Sequence, residues 1–336
     1  MKRFKISTLV KLLGFMLLLS FILALALGPE IILPWQFFNH DSANLSNTII
    51  IEKIRLPRAL MAMIIGAALA VAGVMMQGLF RNPLADPSLI GVTSGASAGA
   101  SVVIVLAAGS AFMGMSMVAL GAFFGAVIAT SLVYRLASGV NGTSVSTMLL
   151  AGIAISALAG AINSYFQYVA DNHMLRQISL WQMGSLSGAN TSRLSLAYGV
   201  LLTVLLILPR YAEALNAMLL GESEARHLGI NVDSIKVQVI ILVALMVGVA
   251  VALSGTIAFV GLITPHIVRL LIGPNHRYLI PFSAVAGAVL LLLADAFSRY
   301  VLAPSELPIG VVTAILGAPF FLSLLRQQRQ RFERVR

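Results

Sequence analysis

Arg81-Asn82-Pro83-Leu84-Ala85-Asp86-Pro87-Ser88-Leu89-Ile90-Gly91 separates two apolar runs, residues 58–79 and 90–108. Its two prolines lack a backbone N–H and bias the residues before them away from helical geometry, so one helix ends here and another begins. Each flanking run approaches the roughly 20 residues that a helix needs to cross a hydrocarbon core of about 30 Å. The stretch therefore reads as a turn between two membrane spans.

Composition extends that reading to the whole chain. Of 336 residues, 59% are apolar and only 10% charged, and the mean hydropathy is +0.96. These values leave the soluble class for the integral membrane class. Lipid offers no partners to backbone N–H and C=O groups, so the spans are predicted to be helices; a barrel would show alternating strands of about ten residues. The expectation is an all-α integral membrane protein, a single transmembrane domain over residues 1–336. Ten spans are predicted at about 9–28, 58–79, 90–108, 112–134, 148–168, 194–208, 235–254, 257–272, 279–297 and 308–325.

Residues Lys2 to Leu27 imitate a secretory signal, but with many spans following they read as an uncleaved first helix. With no cysteine, disulfides, thiolate metal sites and cysteine nucleophiles are excluded. The net charge of +10 would suit nucleic acid only if a soluble basic face existed, and none is apparent. Topology accounts for it instead. An N-terminus placed inside leaves only Lys53, Arg55, Arg58, Arg176, Arg193 and Arg299 outside, matched there by six acids, among them Asp295 and Glu306. The remaining basic residues fall on the cytoplasmic side, as the positive-inside rule requires, and both termini are expected there.

Gly91, Gly95 and Gly99, and Gly121 with Gly125, recur at GxxxG spacing, which lets helix backbones approach closely in lipid. No lysine follows a glycine, so no GxxxxGK[ST] phosphate loop exists, and ATP hydrolysis by that route is excluded. His40, His173, His227, His266 and His276 are scattered; neither a metal site nor a catalytic constellation is expected. Carboxylates are nearly absent from the middles of the spans, although ion-coupled carriers usually hold an ionisable group near the midplane. Any pumping energy should then come from elsewhere.

Residues 211–236 form a long cytoplasmic loop of mixed character. Two short helices are predicted, Ala212 to Leu220 and Glu222 to Leu228, with Gly221 between them and Gly229 as a stop. Glu222 and Arg226 are placed to pair at i,i+4, and Asp233 to cap the next span. The element suits docking to a soluble partner or lying on lipid headgroups. Outside, Arg55 and Arg58 stand one helical turn apart and Arg299 follows the ninth span. An exposed trio of guanidiniums would favour an acidic protein surface, or anchor to headgroups. Tyr165-Phe166-Gln167-Tyr168 closes the fifth span, where aromatics suit an interfacial belt.

Several motifs agree: Arg55-Leu56-Pro57-Arg58, Gly66-Ala67-Ala68-Leu69-Ala70, Gln77-Gly78-Leu79, the Arg81 to Gly91 turn, Gly221-Glu222 through Ala225-Arg226-His227-Leu228-Gly229, Gly261-Leu262-Ile263-Thr264-Pro265-His266-Ile267-Val268-Arg269 and Glu306-Leu307-Pro308-Ile309-Gly310-Val311-Val312-Thr313. Together, over about residues 50 to 325, they resemble the FecCD-type permeases of ABC importers for iron-siderophores, haem and vitamin B12. The resemblance implies the type II importer architecture, a bacterial inner-membrane location and a homodimer of ten-span permease subunits. It further implies two cytoplasmic ATPase subunits that use ATP and Mg, and an extracytoplasmic substrate-binding protein; this chain itself binds no cofactor.

The resemblance also implies roles. Arg55, Arg58 and Arg299 would meet acidic residues of the binding protein. Residues of about 212–230, with Leu220, Gly221, Glu222, Ala225, Arg226, Leu228 and Gly229, would couple to the ATPase. Asn82, Leu84, Ser144, Val145 and Ser146 would form the cytoplasmic gate, and Tyr165, Phe166, Gln167 and Tyr168 would line the pathway where it narrows toward the periplasm. An iron chelate, siderophore complex or haem, is favoured over vitamin B12, and an ion-coupled secondary transporter is the alternative from another class.

Overall fold

The apolar runs fold as helices in a computed structural model that describes residues 6–33, 36, 45–106, 115–139 and 142–335. The basic N-terminal residues Lys2, Arg3 and Lys5, His40 and the ends of the runs expected at 90–108 and 112–134 lie outside the described residues. In chain order, apart from the short Leu45–Ile49 helix that leads into α2, the helices are α1 (Ile6–Ala26), α2 (Leu56–Leu79), α3 (Val92–Leu106), α4 (Met115–Ala137), α5 (Val145–Val169), α6 (Asn172–Gln182), α7 (Thr191–Ala197) and α8 (Thr203–Ile207). There follow α9 (Ala212–Met218), α10 (Glu222–His227), α11 (Val232–Ser254), α12 (Val260–Ile272), α13 (His276–Val301) and α14 (Ile309–Val335). A two-stranded antiparallel hairpin, β1 (Ser138–Gly139) and β2 (Gly142–Thr143), joins α4 to α5.

Among the described residues seven helical stretches are long and apolar enough to cross a membrane, and Val92–Leu106, Val260–Ile272 and Ile309–Leu324 are shorter apolar helices. Two predicted spans differ in form. A π-helical turn, Ile50–Arg55, extends α2 toward its N-terminus. The run expected at 194–208 is a broken helix that continues through Met218 and so includes α9. Helix α6 lies between predicted spans; Asp171 starts it by accepting a hydrogen bond from the Met174 N–H at 2.8 Å.

Helix α2 is the axis of the bundle, buried over nearly its whole length. Its glycines allow this. A Cβ on Gly66 would strike the Gly287 carbonyl on α13, and one on Gly73 would strike the Gly261 carbonyl on α12. Where lipid removes the hydrophobic drive between helices, such close backbone approach supplies the packing. The predicted GxxxG stripes do the same between α3 and α4, with Gly95 against Gly125 and Gly99 against Gly121. Gly91 stands apart from that stripe. At φ +77° it ends the 3-10 turn Pro87–Ile90 in the left-handed region, a conformation glycine adopts without steric cost.

The breaks between helices after Gln182, after Ser254 and before Ile309 meet one another. The Ser185 N–H donates to the Ser254 carbonyl at 2.8 Å, the Gly310 N–H to the Met183 carbonyl at 3.0 Å, and the Thr256 hydroxyl to the Gln182 carbonyl. Where lipid offers no partners, backbone outside helices must be satisfied by protein, as the ends of these stretches are by one another.

Candidate functional site: a polar cluster at each end of the bundle

The first cluster gathers where α1 ends, α2 begins and α13 ends. Arg55 donates to the carbonyls of Leu25 (2.7 Å), Ala26 (2.8 Å) and Glu30, and Arg299 donates to the Ala24 carbonyl at 2.7 Å. The last carbonyls of a helix have no partner within it and carry its negative dipole end, so the two guanidiniums cap α1 from other elements. Arg58 Nε donates to Asp295 Oδ1 at 2.8 Å, and its Nη1 lies 2.9 Å from Glu306 Oε2. Asp295 Oδ2 is 3.1 Å from Arg299 Nε in an ion contact, although that N–H is aimed at the Asp295 carbonyl. The expectation of an exposed trio is corrected here. Arg55, Arg58 and Arg299 are 3%, 5% and 3% exposed, because α1 and the 302–307 segment supply internal partners that fold over them.

Beside this cluster opens a cavity of about 630 Å³ bordered by Arg58, His173, Arg176, Trp181, Arg193 and Glu306. On the adjoining helix, Tyr165 and Tyr168 are exposed and Phe166 and Gln167 half-buried. The rings of Tyr165 and Phe166 meet edge to face at 5.4 Å. Asn163, one turn earlier, accepts from Ser101 at 2.5 Å and from Gln182 at 2.9 Å, tying α3, α5 and α6 together.

The second cluster lies at the opposite end. There the Arg81 to Gly91 turn is built by side chains that imitate backbone: Asn82 Oδ1 accepts the Leu84 N–H at 3.0 Å, and Asp86 Oδ1 accepts the Ser88 N–H at 2.9 Å. Asn82 is exposed and Leu84 half-buried. Ser144 caps α5, accepting from the Thr147 N–H at 3.3 Å; Ser144 and Ser146 are exposed and Val145 half-buried. Both loops face the same end, where the carbonyl of Leu89 packs onto Gly152 of α5. Among the described residues no hydrogen bond joins Asn82 or Leu84 to Ser144–Ser146.

The segment after α8 forms the two short helices expected, with Gly221 (φ +132°) separating them and Gly229 (φ +83°) ending the second. Its ion pairs differ from expectation. Glu222 and Arg226 do not pair with each other: Glu222 binds Lys236 at 2.7 Å and Arg226 binds Asp233 at 3.1 Å. Asn231, rather than Asp233, caps α11 by accepting the Ser234 N–H at 3.1 Å. Leu220 and Leu228 project 71% and 64% exposed, whereas Ala225 is fully buried and faces the protein's own core. Arg226 and Gly229 are exposed, and Gly221 and Glu222 half-buried.

A polar network with no local sequence signal lies behind this segment. The His276 ring nitrogen Nδ1 lies 2.9 Å from Asn216 Oδ1 of α9, Arg269 donates to Gln77 Oε1 at 2.8 Å, and Gln77 donates to the Gly261 carbonyl at 3.3 Å. Lys236 does carry a signal in the sequence, a lone lysine near the start of an apolar helix, and it is buried.

A bundle of long apolar helices with close-packed glycine seams and breaks between helices that satisfy one another defines a polytopic helical membrane protein. More particularly, the chain belongs to the FecCD transport family, which matches residues 16–327. It is 42% identical over 322 residues to the hemin transport system permease protein HmuU of Yersinia pestis, covering 95% of this chain and 96% of that protein. It is 40% identical over 306 residues to the vitamin B12 import system permease protein BtuC of Serratia proteamaculans, covering 91% and 89%. A solved chain of a metal-chelate type ABC transporter, in an inward-facing conformation, superposes with a TM-score of 0.85 at 33% identity, covering 96% of this chain and 99% of that one.

Proposed function

We propose that this chain is the ten-span permease subunit of an ATP-driven importer that moves an iron chelate, haem or a siderophore complex, across the bacterial inner membrane. The likeness to a hemin permease over nearly the full length of both chains carries this reading. Seven long apolar stretches and three shorter apolar helices among the described residues support the count of ten. Residues 1–336 act as one permease domain, with both termini cytoplasmic, and pair with a second copy.

Two ATPase subunits, which use ATP and Mg, dock on residues of about 212–230, where Leu220 and Leu228 offer the apolar contact. Asn82, Leu84 and Ser144–Ser146 close the cytoplasmic side. At the other end Tyr165–Tyr168 lines the pathway, and an extracytoplasmic binding protein docks over the arginine cluster. Because Arg55, Arg58 and Arg299 are internally paired, their part in docking is to hold the 28–33 and 302–307 segments in place. No covalent chemistry is required of this chain. ATP binding to the partners shifts a two-state bundle between inward and outward openings, and binding-protein docking biases the same equilibrium from outside.

Vitamin B12 is the second reading, favoured by the BtuC relatives. The two are separated by loading vesicles with ATP, adding the complete transporter and its binding protein, and supplying haem, a ferric siderophore or cobalamin in turn. Iron-chelate uptake with cobalamin excluded is the expected result; cobalamin uptake alone would overturn the substrate assignment.

A further inference from the structure

Lys236 joins its own helix, α11, to two stretches that the proposed function assigns to different tasks. It sits in the second turn of α11 and is 2% exposed. Its Nζ donates to Glu222 Oε2 at 2.7 Å and to the Thr143 carbonyl at 2.9 Å. Glu222 begins the second short helix of the ATPase-docking segment. Thr143 ends the hairpin and immediately precedes Ser144, the cap of α5 and first residue of the proposed gate.

The surroundings make this joint stiff. Arg226, one turn after Glu222, reaches Asp233, nearly one turn before Lys236, at 3.1 Å, so α10 is held to α11 at two points. Gly142 adopts φ +93° directly against the Asp233 carboxylate, where a Cβ would collide with Oδ1. The hairpin can run this close to α11 only because that residue is glycine. On its far side, the Ser144 N–H donates to the Ala137 carbonyl at 3.0 Å, and the Ser138 and Thr143 hydroxyls lie 3.1 Å apart, so the hairpin moves with the end of α4 as well.

We propose that Lys236 is a positioning residue that transmits displacement of the Glu222–His227 helix to the Gly142–Ser146 gate loop. One ammonium has three donors and no acceptor, so it can hold a carboxylate and a carbonyl at once. Separating Glu222 from Lys236 would leave the buried ammonium uncompensated, and separating Thr143 would leave one of its donors unpaired, so the three stretches move together. By linkage, closing of the gate loop must bias the docking helix by the same factor. The inference rests on the reading of residues 212–230 as the ATPase socket.

The chain contains no cysteine, so Ser146→Cys provides a unique reporter at the gate. The test uses the complete transporter in lipid vesicles, with ATPase and binding-protein subunits present and the Ser146→Cys chain as parent. Lys236→Met should keep the ATPase subunits bound, lower uptake per ATP by about tenfold, within the range usual for coupling between sites, and abolish the nucleotide-dependent change in thiol labelling. Lys236→Arg, which keeps the charge and the donors, should restore both readouts. Parent-like uptake per ATP and labelling in Lys236→Met would overturn the proposal. Should that variant fail to assemble, Glu222→Gln serves instead: weakened coupling supports the joint, and parent-like coupling sinks it. Leu220→Asp tests the underlying reading separately. ATPase subunits that still co-purify with Leu220→Asp would remove the socket assignment, whereas failure of the Lys236 test alone leaves that assignment standing.

Discussion

The two ends of the bundle use buried charge differently. At one end, Arg55, Arg58 and Arg299 connect long helices to one another: α1 through its terminal carbonyls, α2 and α13 through Asp295. At the other end, Lys236 connects a long helix to two short elements, α10 and the hairpin. The first arrangement fixes the relative position of membrane-spanning helices. The second ties two short elements to one long helix, so a push on either reaches the other. Similar chemistry thus serves as a clamp where it joins large bodies and as a linkage where it joins small ones.

This contrast can be broken most forcefully at the clamp. Asp295→Ala would leave Arg58 and Arg299 buried without their shared carboxylate, and loss of one partner of a buried pair costs about 3–5 kcal/mol. Thermal unfolding in detergent should show a large fall in midpoint; an unchanged midpoint would mean that the clamp is not structural. A somewhat smaller effect is expected from Gly95→Val, which forces side-chain volume against the Gly125 carbonyl and should cost about 1–3 kcal/mol by overpacking. Gly91→Ala, at φ +77° but in ordinary contact distance, should cost about 1–2 kcal/mol through backbone strain alone. Refolding or thermal series on the two glycine variants would reverse this order if the seam were not close-packed.

At the linkage end the expected stability changes are smaller and the functional ones larger. Ser144→Ala removes the cap of α5 and should cost about 1 kcal/mol, while also loosening the gate loop. Leu220→Asp, on an exposed side chain, should move stability by no more than about 0.5 kcal/mol, yet release the ATPase subunits in a pull-down. A stable, ATPase-bound Leu220→Asp protein would erase the distinction between the two ends.

Much of the bundle was legible because its signals are local. Apolar runs of span length, the prolines of the Arg81 to Gly91 turn, and the Gly95/Gly99 and Gly121/Gly125 spacings each determine structure within a few residues of themselves. The partners of the charges were not legible for the opposite reason. Arg58 meets Asp295 across 237 positions of sequence, and Arg55 meets carbonyls, which have no side-chain signature. The predicted Glu222–Arg226 pair followed a sound local rule worth only about 0.2–0.5 kcal/mol. Tertiary structure replaced it by bringing Lys236 and Asp233 within reach. Helix α6 was missed because it is amphipathic and too short to span, so span-length hydropathy passes over it.

The most direct test of the account concerns the energy source. The complete transporter, with its ATPase and binding-protein subunits, is placed in vesicles and iron-chelate uptake is followed with and without internal ATP and with an uncoupler added. An ATP-driven permease predicts uptake that requires ATP and survives the uncoupler. Uptake that persists without ATP and collapses with the uncoupler would contradict the account and make this chain an ion-coupled carrier.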